Sequence, residues 1–275
     1  MPLELPIRMT FAPPSSRQRI ISLAPDATSI LVALGARSNL VAVSRWCKEV
    51  ADVRGLPELG DCWAMDTEPL LKLRPTLIVG SVPFKNETLQ EILSLPVPFL
   101  ALNPRSLADI EGNIRALGRL AGAGAKSEVL VREMQRKFEP IRRIANRAKS
   151  RPRVYSEAWP NPRISSPPWV AELIEIAGGT MAVPAGQKIS DDAVAQARPD
   201  VIVLAWTATG DKAKPEQALE NLAWQNVPAV KNRRVLVISD ELLNTPGPPL
   251  MKGAEELLRA IHPELALRRI GHHGN

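Results

Sequence analysis

Two stretches of this 275-residue chain echo one another. Glu68 to Ser81 reads EPLLKLRPTLIVGS and Asp192 to Ala205 reads DAVAQARPDVIVLA. Arg74/Arg198, Pro75/Pro199, Ile78/Ile202 and Val79/Val203 are identical pairs, and an acidic residue opens each copy. Each copy predicts a helix, an Arg-Pro turn and a buried strand. A repeat of that size constrains the chain to two related α/β lobes, because each copy is one supersecondary unit of a larger sheet.

The rest of the chain fits around the two copies. Arg19 to Ala24 is an apolar β-branched run, followed by a Pro-Asp-Ala-Thr turn and a helical stretch from Ser29 to Leu34 that stops at Gly35. Short strands are predicted at 41–43, 77–80 and 99–102, with helices at about 67–73 and 87–95 between them. Residues 106–121 and 124–149 then carry apolar side chains at helical spacing, notably Leu130, Met134, Phe138, Ile141, Ile144 and Ala148. The second of these would span about 39 Å at 1.5 Å per residue, with a kink or a later start at Pro140. Strands at 154–156, 201–205 and 235–238 and helices at 169–176, 192–197 and 249–261 follow. The expected organisation is a loose leader (1–18), an N-terminal α/β lobe (19–105), a helical linker with a backbone helix (106–150), a C-terminal α/β lobe (151–264) and a tail (265–275). Both lobes are expected to be Rossmann-like, with mostly parallel sheets.

Charge and motif content narrow the function. There is no G-x-S-x-G, H-E-x-x-H or post-strand G-x-G-x-x-G, and all three histidines, His262, His272 and His273, lie in the last fourteen residues. The chain therefore reads as non-catalytic and without a metal site; the enzyme alternative would need Asp240 or Glu157 as its acid/base. Nine basic residues crowd the segment from Arg132 to Arg153, within a chain of formal net charge +6, and are expected to form a solvated helix face. Nucleic acid is not an expected partner. Met1 to Arg19 holds no apolar run of seven residues, so the chain as written is expected in the cytoplasm, and in the periplasm if a leader precedes it.

The aromatic residues are more informative. They make up only 4% of the chain, yet six are Trp. Trp46, Trp159 and Trp206 each follow a predicted strand closely, while Trp63 and Trp169 precede predicted helices. Ligands of open α/β sheets bind at the carboxyl ends of the strands, where large rings can stack on a flat, apolar ligand. Trp224 is expected to be structural. Asp26, Asp61, Asp66, Glu157, Asp240 and Glu241 share those loops, with Asp26 and Asp66 also placed to cap helices. Cys47 and Cys62 flank Trp46 and Trp63, close enough in sequence to form one bridge or to bring a thiol near a ligand.

RIISLAPDATSILVALG, SRWC, LPELGDCWAMDTEPLLKLRPTLIVGS, EAWPNPRISSPPWVAELIEIAGG, ISDDAVAQARPDVIVLAW and NTPGPPLMKGAEELLRAIHPE, in this order and spacing, resemble the cobalamin and iron-siderophore substrate-binding proteins of ABC importers. The resemblance implies two α/β lobes on a rigid backbone helix, with one ligand held between them and no intrinsic cofactor. It implies a ligand site at Pro25, Asp26, Trp46, Cys47, Trp63, Trp159, Trp169, Trp206, Asp240 and Asn244. It further implies docking of a monomer on an ABC permease dimer through Glu68 and Asp192. The EAW block, the Trp-Val-x-Glu-Leu helix and the late Pro-Gly-Pro are closest to cobalamin-binding members, with a ferric siderophore or haem as the alternative ligand and an intracellular corrinoid or tetrapyrrole handler as the alternative role.

Overall fold

The computed structural model describes residues 18–61, 63, 68–207 and 213–266. The first lobe comprises β1 (Ile20–Ser22), α1 (Pro25–Ala33), β2 (Leu40–Ser44), β3 (Glu58–Leu59), α2 (Glu68–Lys72), β4 (Leu77–Ser81), α3 (Asn86–Ser94) and β5 (Phe99–Leu102). Two helices follow, α4 (Leu107–Leu120) and α5 (Gly124–Ala145). The second lobe comprises β6 (Arg153–Pro160), β7 (Arg163–Ser165), α6 (Pro168–Ile176), β8 (Thr180–Met181), α7 (Asp191–Ala197), β9 (Val201–Leu204), α8 (Pro215–Leu219), α9 (Pro228–Lys231), β10 (Val235–Val237), α10 (Asp240–Leu243), α11 (Leu250–Ile261) and α12 (Pro263–Ala266).

The first sheet has the order β3-β2-β1-β4-β5 and is parallel throughout. The second has the order β10-β9-β6-β7, with β8 beside the start of β6 and β7 pairing antiparallel with its end. In both lobes the chain winds one way from the first strand and then the other, so a topological switch falls between β1 and β4 and again between β6 and β9.

The repeat seen in the sequence is structural. Arg74 and Arg198 end the helices before β4 and β9, both with φ of 47°, and the proline after each cannot extend a helix. The likeness extends further than the sequence suggests. Helices α1 and α6 are both nine residues long with Pro in the first turn, and glycines with positive φ follow both, Gly35 at 69° and Gly178 at 85°. Each end closes with a bond across the glycine, Ala36 N to Leu31 O at 2.8 Å and Gly179 N to Ile174 O at 2.8 Å.

Helix α5 buries Leu130, Val131, Met134, Phe138, Ile141 and Ala145 on one face. It contains 22 residues, roughly 33 Å, and ends at Ala145 rather than 149. Pro140 stands inside it and the helix continues for five further residues. That proline removes one backbone bond, and the apolar face packed around it holds the turn. One apolar cluster runs through both lobes and the linker, including Leu31, Ile114, Met134, Phe138, Leu173 and Leu257. The lobes also touch directly: a Cβ added at Gly247 would lie 3.1 Å from Ser29 Oγ and 3.3 Å from Ile30 Cγ1 on α1. A shared core and an intervening helix of this kind resist hinge motion, because close-packed interiors deform little. Among the described residues, no helix is long and apolar enough to cross a membrane.

Candidate functional site

The carboxyl ends of β2 and β3 deliver Trp46 and Trp63. Both rings are exposed, at 38% and 58%, and one carboxylate organises them. Asp61 accepts from Trp46 Nε1 at 2.8 Å and from the Trp63 backbone N–H at 3.0 Å. Arg45 Nε lies 3.8 Å from the same carboxylate. Asp61 thus ties two aromatic loops together, a role that its place between Gly60 and Cys62 does not announce.

Beneath this surface, Asp26 is buried and accepts from Ser81 Oγ at 2.6 Å. The bond spans the β1/β4 switch, joining the start of α1 to the end of β4. Burial pushes the Asp26 carboxyl above its ordinary range, outweighing the hydrogen bonds that favour its charge. Asp26 is not the N-cap that its position suggested: Ala24 occupies that place and Pro25, partly exposed, begins the helix. Cys47 is fully buried and free. Its Sγ accepts from Thr28 Oγ1 at 3.0 Å and lies 3.3 Å from Ser44 Oγ, and burial raises its thiol pKa. A thiol so enclosed is a packing element of the lobe rather than a group offered to a ligand.

In the second lobe the sequence expectation of ring-presenting tryptophans divides. Trp159, at the end of β6, is 38% exposed and donates to Asn161 O at 2.9 Å. Trp169 and Trp206 are buried instead. Trp169 sits in the core shared by the lobes, where its Nε1 donates to Leu243 O at 2.9 Å. Trp206 donates to Glu157 Oε1 at 2.8 Å, bridging the β6/β9 switch as Ser81 and Asp26 bridge the other.

Glu157 is fully buried and heavily engaged. Its Oε2 also accepts from Tyr155 Oη at 2.5 Å and from Arg163 at 2.7 Å. Arg163 continues to Asp191 and stacks 4.3 Å over the Trp224 ring, and Trp224 meets Tyr155 edge to face. Burial opposes the Arg163 charge, but Glu157 and Asp191 raise its pKa. Burial, reinforced by Glu157, likewise drives the Tyr155 hydroxyl above its usual range. Such a carboxylate is a structural anchor, both of its oxygens being engaged by protein donors. The cavity beside it, lined by Glu157, Arg163, Trp206 and Gln217 among others, holds about 180 Å³, below the roughly 300 Å³ at which small-molecule pockets begin.

Asp240 opens α10 and is partly buried. Asn244, just after that helix, donates to Ala205 O at 2.6 Å and to Thr207 Oγ1 at 3.2 Å, fastening the loop after β9 to the loop after α10. Glu68 and Asp192 are exposed at the starts of α2 and α7. Glu68 pairs with Lys72 at 2.9 Å, while the cap of α7 is Ser190, whose Oγ accepts from Ala193 N at 3.1 Å. Cys62, Asp66, His272 and His273 lie outside the described residues.

What this arrangement offers is exposed tryptophan rings after the strands of both lobes, with the buried carboxyls of Asp26 and Glu157 held by hydrogen bonds inside the same lobes. Comparison with known proteins places the chain among relatives of the same fold. The chain is 26% identical over 259 residues to an ABC transporter substrate-binding lipoprotein, YvrC, of Bacillus subtilis, covering 90% of this chain and 81% of that protein. It is 24% identical to the vitamin B12-binding protein of Vibrio parahaemolyticus, over 87% of this chain and 88% of the relative. Among solved structures, the periplasmic heme-binding protein RhuT of Roseiflexus sp. RS-1 aligns with a TM-score of 0.76 at 25% identity, covering 91% of this chain and all of that one. The periplasmic vitamin B12-binding protein BtuF of Vibrio cholerae shares the fold with a TM-score of 0.70 at 23% identity, over 91% of this chain and 98% of its own. The profile of the periplasmic binding protein family matches residues 20–242, and the chain, with its two parallel-sheet lobes, belongs to that family.

Proposed function

We propose that this protein binds cobalamin or a related corrinoid, without chemical conversion, as the substrate-binding component of an ABC importer. The observation that carries the choice of ligand is the chemistry of the exposed loops. They present the rings of Trp46, Trp63 and Trp159 but no imidazole or phenol, since the single tyrosine is the buried Tyr155 and no histidine precedes His262. A haem iron held by His or Tyr finds neither in these loops, where Cys62 and Met65 beside Trp63 are the remaining residues of ligand type, whereas a corrinoid that keeps its own axial ligands needs only flat apolar contact and hydrogen bonds to its periphery. Relatives named for vitamin B12 binding support the same choice.

Pro25 and Asp26, with Cys47 behind them, shape the first-lobe wall in this reading. Trp169, Trp206, Asp240 and Asn244 support the second. Glu68 and Asp192 are the charges that meet the permease, one from each lobe. The relatives' names, a lipoprotein and periplasmic proteins among them, support a place of action outside the cytoplasmic membrane.

A ferric siderophore is the second reading, favoured by the exposed Arg45 beside the aromatic loops, which would meet an anionic chelate. One titration separates the readings. Purified protein is titrated with cyanocobalamin, aquocobalamin, haem and a ferric siderophore, following Trp fluorescence and the ligand spectrum. Saturable quenching by the corrinoids at micromolar concentration or below is expected. Saturation by haem or the ferric chelate alone would overturn the corrinoid assignment.

A further inference from the structure

The positive charge of this protein is concentrated in one segment, which runs from the second half of α5 through the turn that follows it into the first residue of β6. The segment from Arg132 to Arg153 holds nine of the chain's 35 basic residues and two of its 29 acidic ones. It therefore carries a formal charge of +7, and the remainder of the chain carries −1 against a total of +6. All nine basic residues are exposed.

Five of the nine, Arg132, Arg136, Lys137, Arg142 and Arg143, are on α5, and their arrangement is ordered. At about 100° per residue, Arg132, Arg136 and Arg143 fall within about 40° of one another. Leu130, Met134, Phe138, Ile141 and Ala145, the buried face, are centred about 180° away. Glu139 lies in the same stripe and pairs with Arg142 and Arg143 at 3.3 and 3.7 Å. Arg132, Arg136, Lys137, Arg147 and Lys149 form no ion pair among the described residues. Glu111 and Glu128 pair with Arg115 on the flank of α4 and α5, and Glu133, exposed on α5 beside Arg132, forms no ion pair among the described residues.

We infer that this stripe docks the protein on an anionic phospholipid surface, a role beyond ligand binding. The occupant follows from shape as much as charge. Helix α5 is fixed along its opposite face by α4, α6 and α11, so it protrudes as a shallow ridge of roughly 33 Å that matches a flat sheet of phosphates. On the reading that the protein acts outside the cytoplasmic membrane, the anionic surface within its reach is lipid rather than duplex nucleic acid. The one aromatic ring of α5, Phe138, is buried, which leaves nothing for unpaired bases to stack on. Long Arg and Lys stems suit a fluid headgroup layer, and the attraction decays within a Debye length of the surface. None of the residues that form the stripe belongs to the tryptophan loops, so docking leaves those loops open.

The test is co-sedimentation of the full chain with phosphatidylglycerol-containing vesicles and with pure phosphatidylcholine vesicles, at low salt and at about 0.15 M. Binding to the anionic vesicles alone, weakening with salt, is expected. The triple variant Arg132→Glu, Arg136→Glu, Arg143→Glu should lose at least about tenfold in apparent affinity. Lys188→Glu, Lys231→Glu, Lys252→Glu, exposed sites outside α5 and its stripe, make the same change of net charge and should stay within about threefold of the parent. Circular dichroism of both variants, together with a milder Arg-to-Gln set at the same three positions, separates misfolding from lost charge. Equal binding to neutral vesicles, no binding to either, an equal loss in both triple variants, or tighter binding to duplex DNA than to vesicles would each overturn the inference.

Discussion

Replacing Arg163 by Met tests whether the second lobe is held by its buried charge network. In the parent, Glu157 is fully buried and accepts from Arg163, Tyr155 and Trp206. Arg163 also reaches Asp191 and covers the Trp224 ring at 4.3 Å. Methionine approximates the stem but removes the cation, leaving Glu157 with two neutral donors. Breaking a buried pair from one side costs about 3–5 kcal/mol. The lost stacking on Trp224 adds about 0.5–1 kcal/mol. For a chain of this size that lowers the melting temperature by about 10 °C. Urea unfolding of Arg163→Met, Glu157→Gln and the double variant closes a cycle. The double variant should be more stable than Arg163→Met alone, with a coupling energy of at least about 1.5 kcal/mol. A single-variant cost below about 1 kcal/mol, or a coupling near zero, would refute the view that Arg163 exists to balance Glu157.

Three further outcomes are expected. Trp46→Ala and Trp63→Ala should each weaken corrinoid binding about three- to tenfold while shifting stability by no more than about 0.5 kcal/mol, since both rings are exposed; unchanged affinity in the fluorescence titration would remove these loops from the site. Asp26→Asn should alter the pH dependence of stability. Burial raises the folded-state pKa above 3.8, so the native state holds this proton more tightly; the contribution is full below about pH 4 and is lost as pH rises through the folded-state value. The variant should therefore match the parent in acid and exceed it near neutrality, and parallel urea midpoints across that range would contradict the assignment. Gly253→Ala would set a Cβ 2.0 Å from the Leu242 carbonyl oxygen, forcing α10 from α11 at a cost of about 1–3 kcal/mol; thermal unfolding identical to that of the parent would show that α10 is free to move.

Strand and helix order followed from local pattern. The runs at 77–80, 99–102 and 201–205 became β4, β5 and β9 to within a residue at either end, because continuous apolar stretches bounded by turns have few other places to go in a two-layered α/β sheet. The pieces that escaped notice are short: β3, β7 and β8 have two or three residues, and α8, α9 and α10 four or five. Segments so brief carry too few apolar positions for a period, and tertiary contact alone holds them. The end of α5 was misjudged for a related reason. Ile144 and Ala148 continue the apolar spacing, yet the helix stops at Ala145, four residues before the basic run of Lys149 to Arg153 enters β6.

The sequence by itself determined that this chain makes two similar α/β lobes, since the paired Arg-Pro units and the apolar periods are local properties that need no partner. It also placed tryptophans near the ends of strands. Only the tertiary structure decided which rings remain outside: Trp46, Trp63 and Trp159 are exposed, while Trp169 and Trp206 are claimed by Leu243 and Glu157, residues 74 and 49 positions distant in the chain. A tryptophan is large enough to serve either purpose, and its single N–H goes to whichever acceptor the fold brings within reach. Burial is thus a property of the assembled lobes, settled by contacts that no local window of sequence contains.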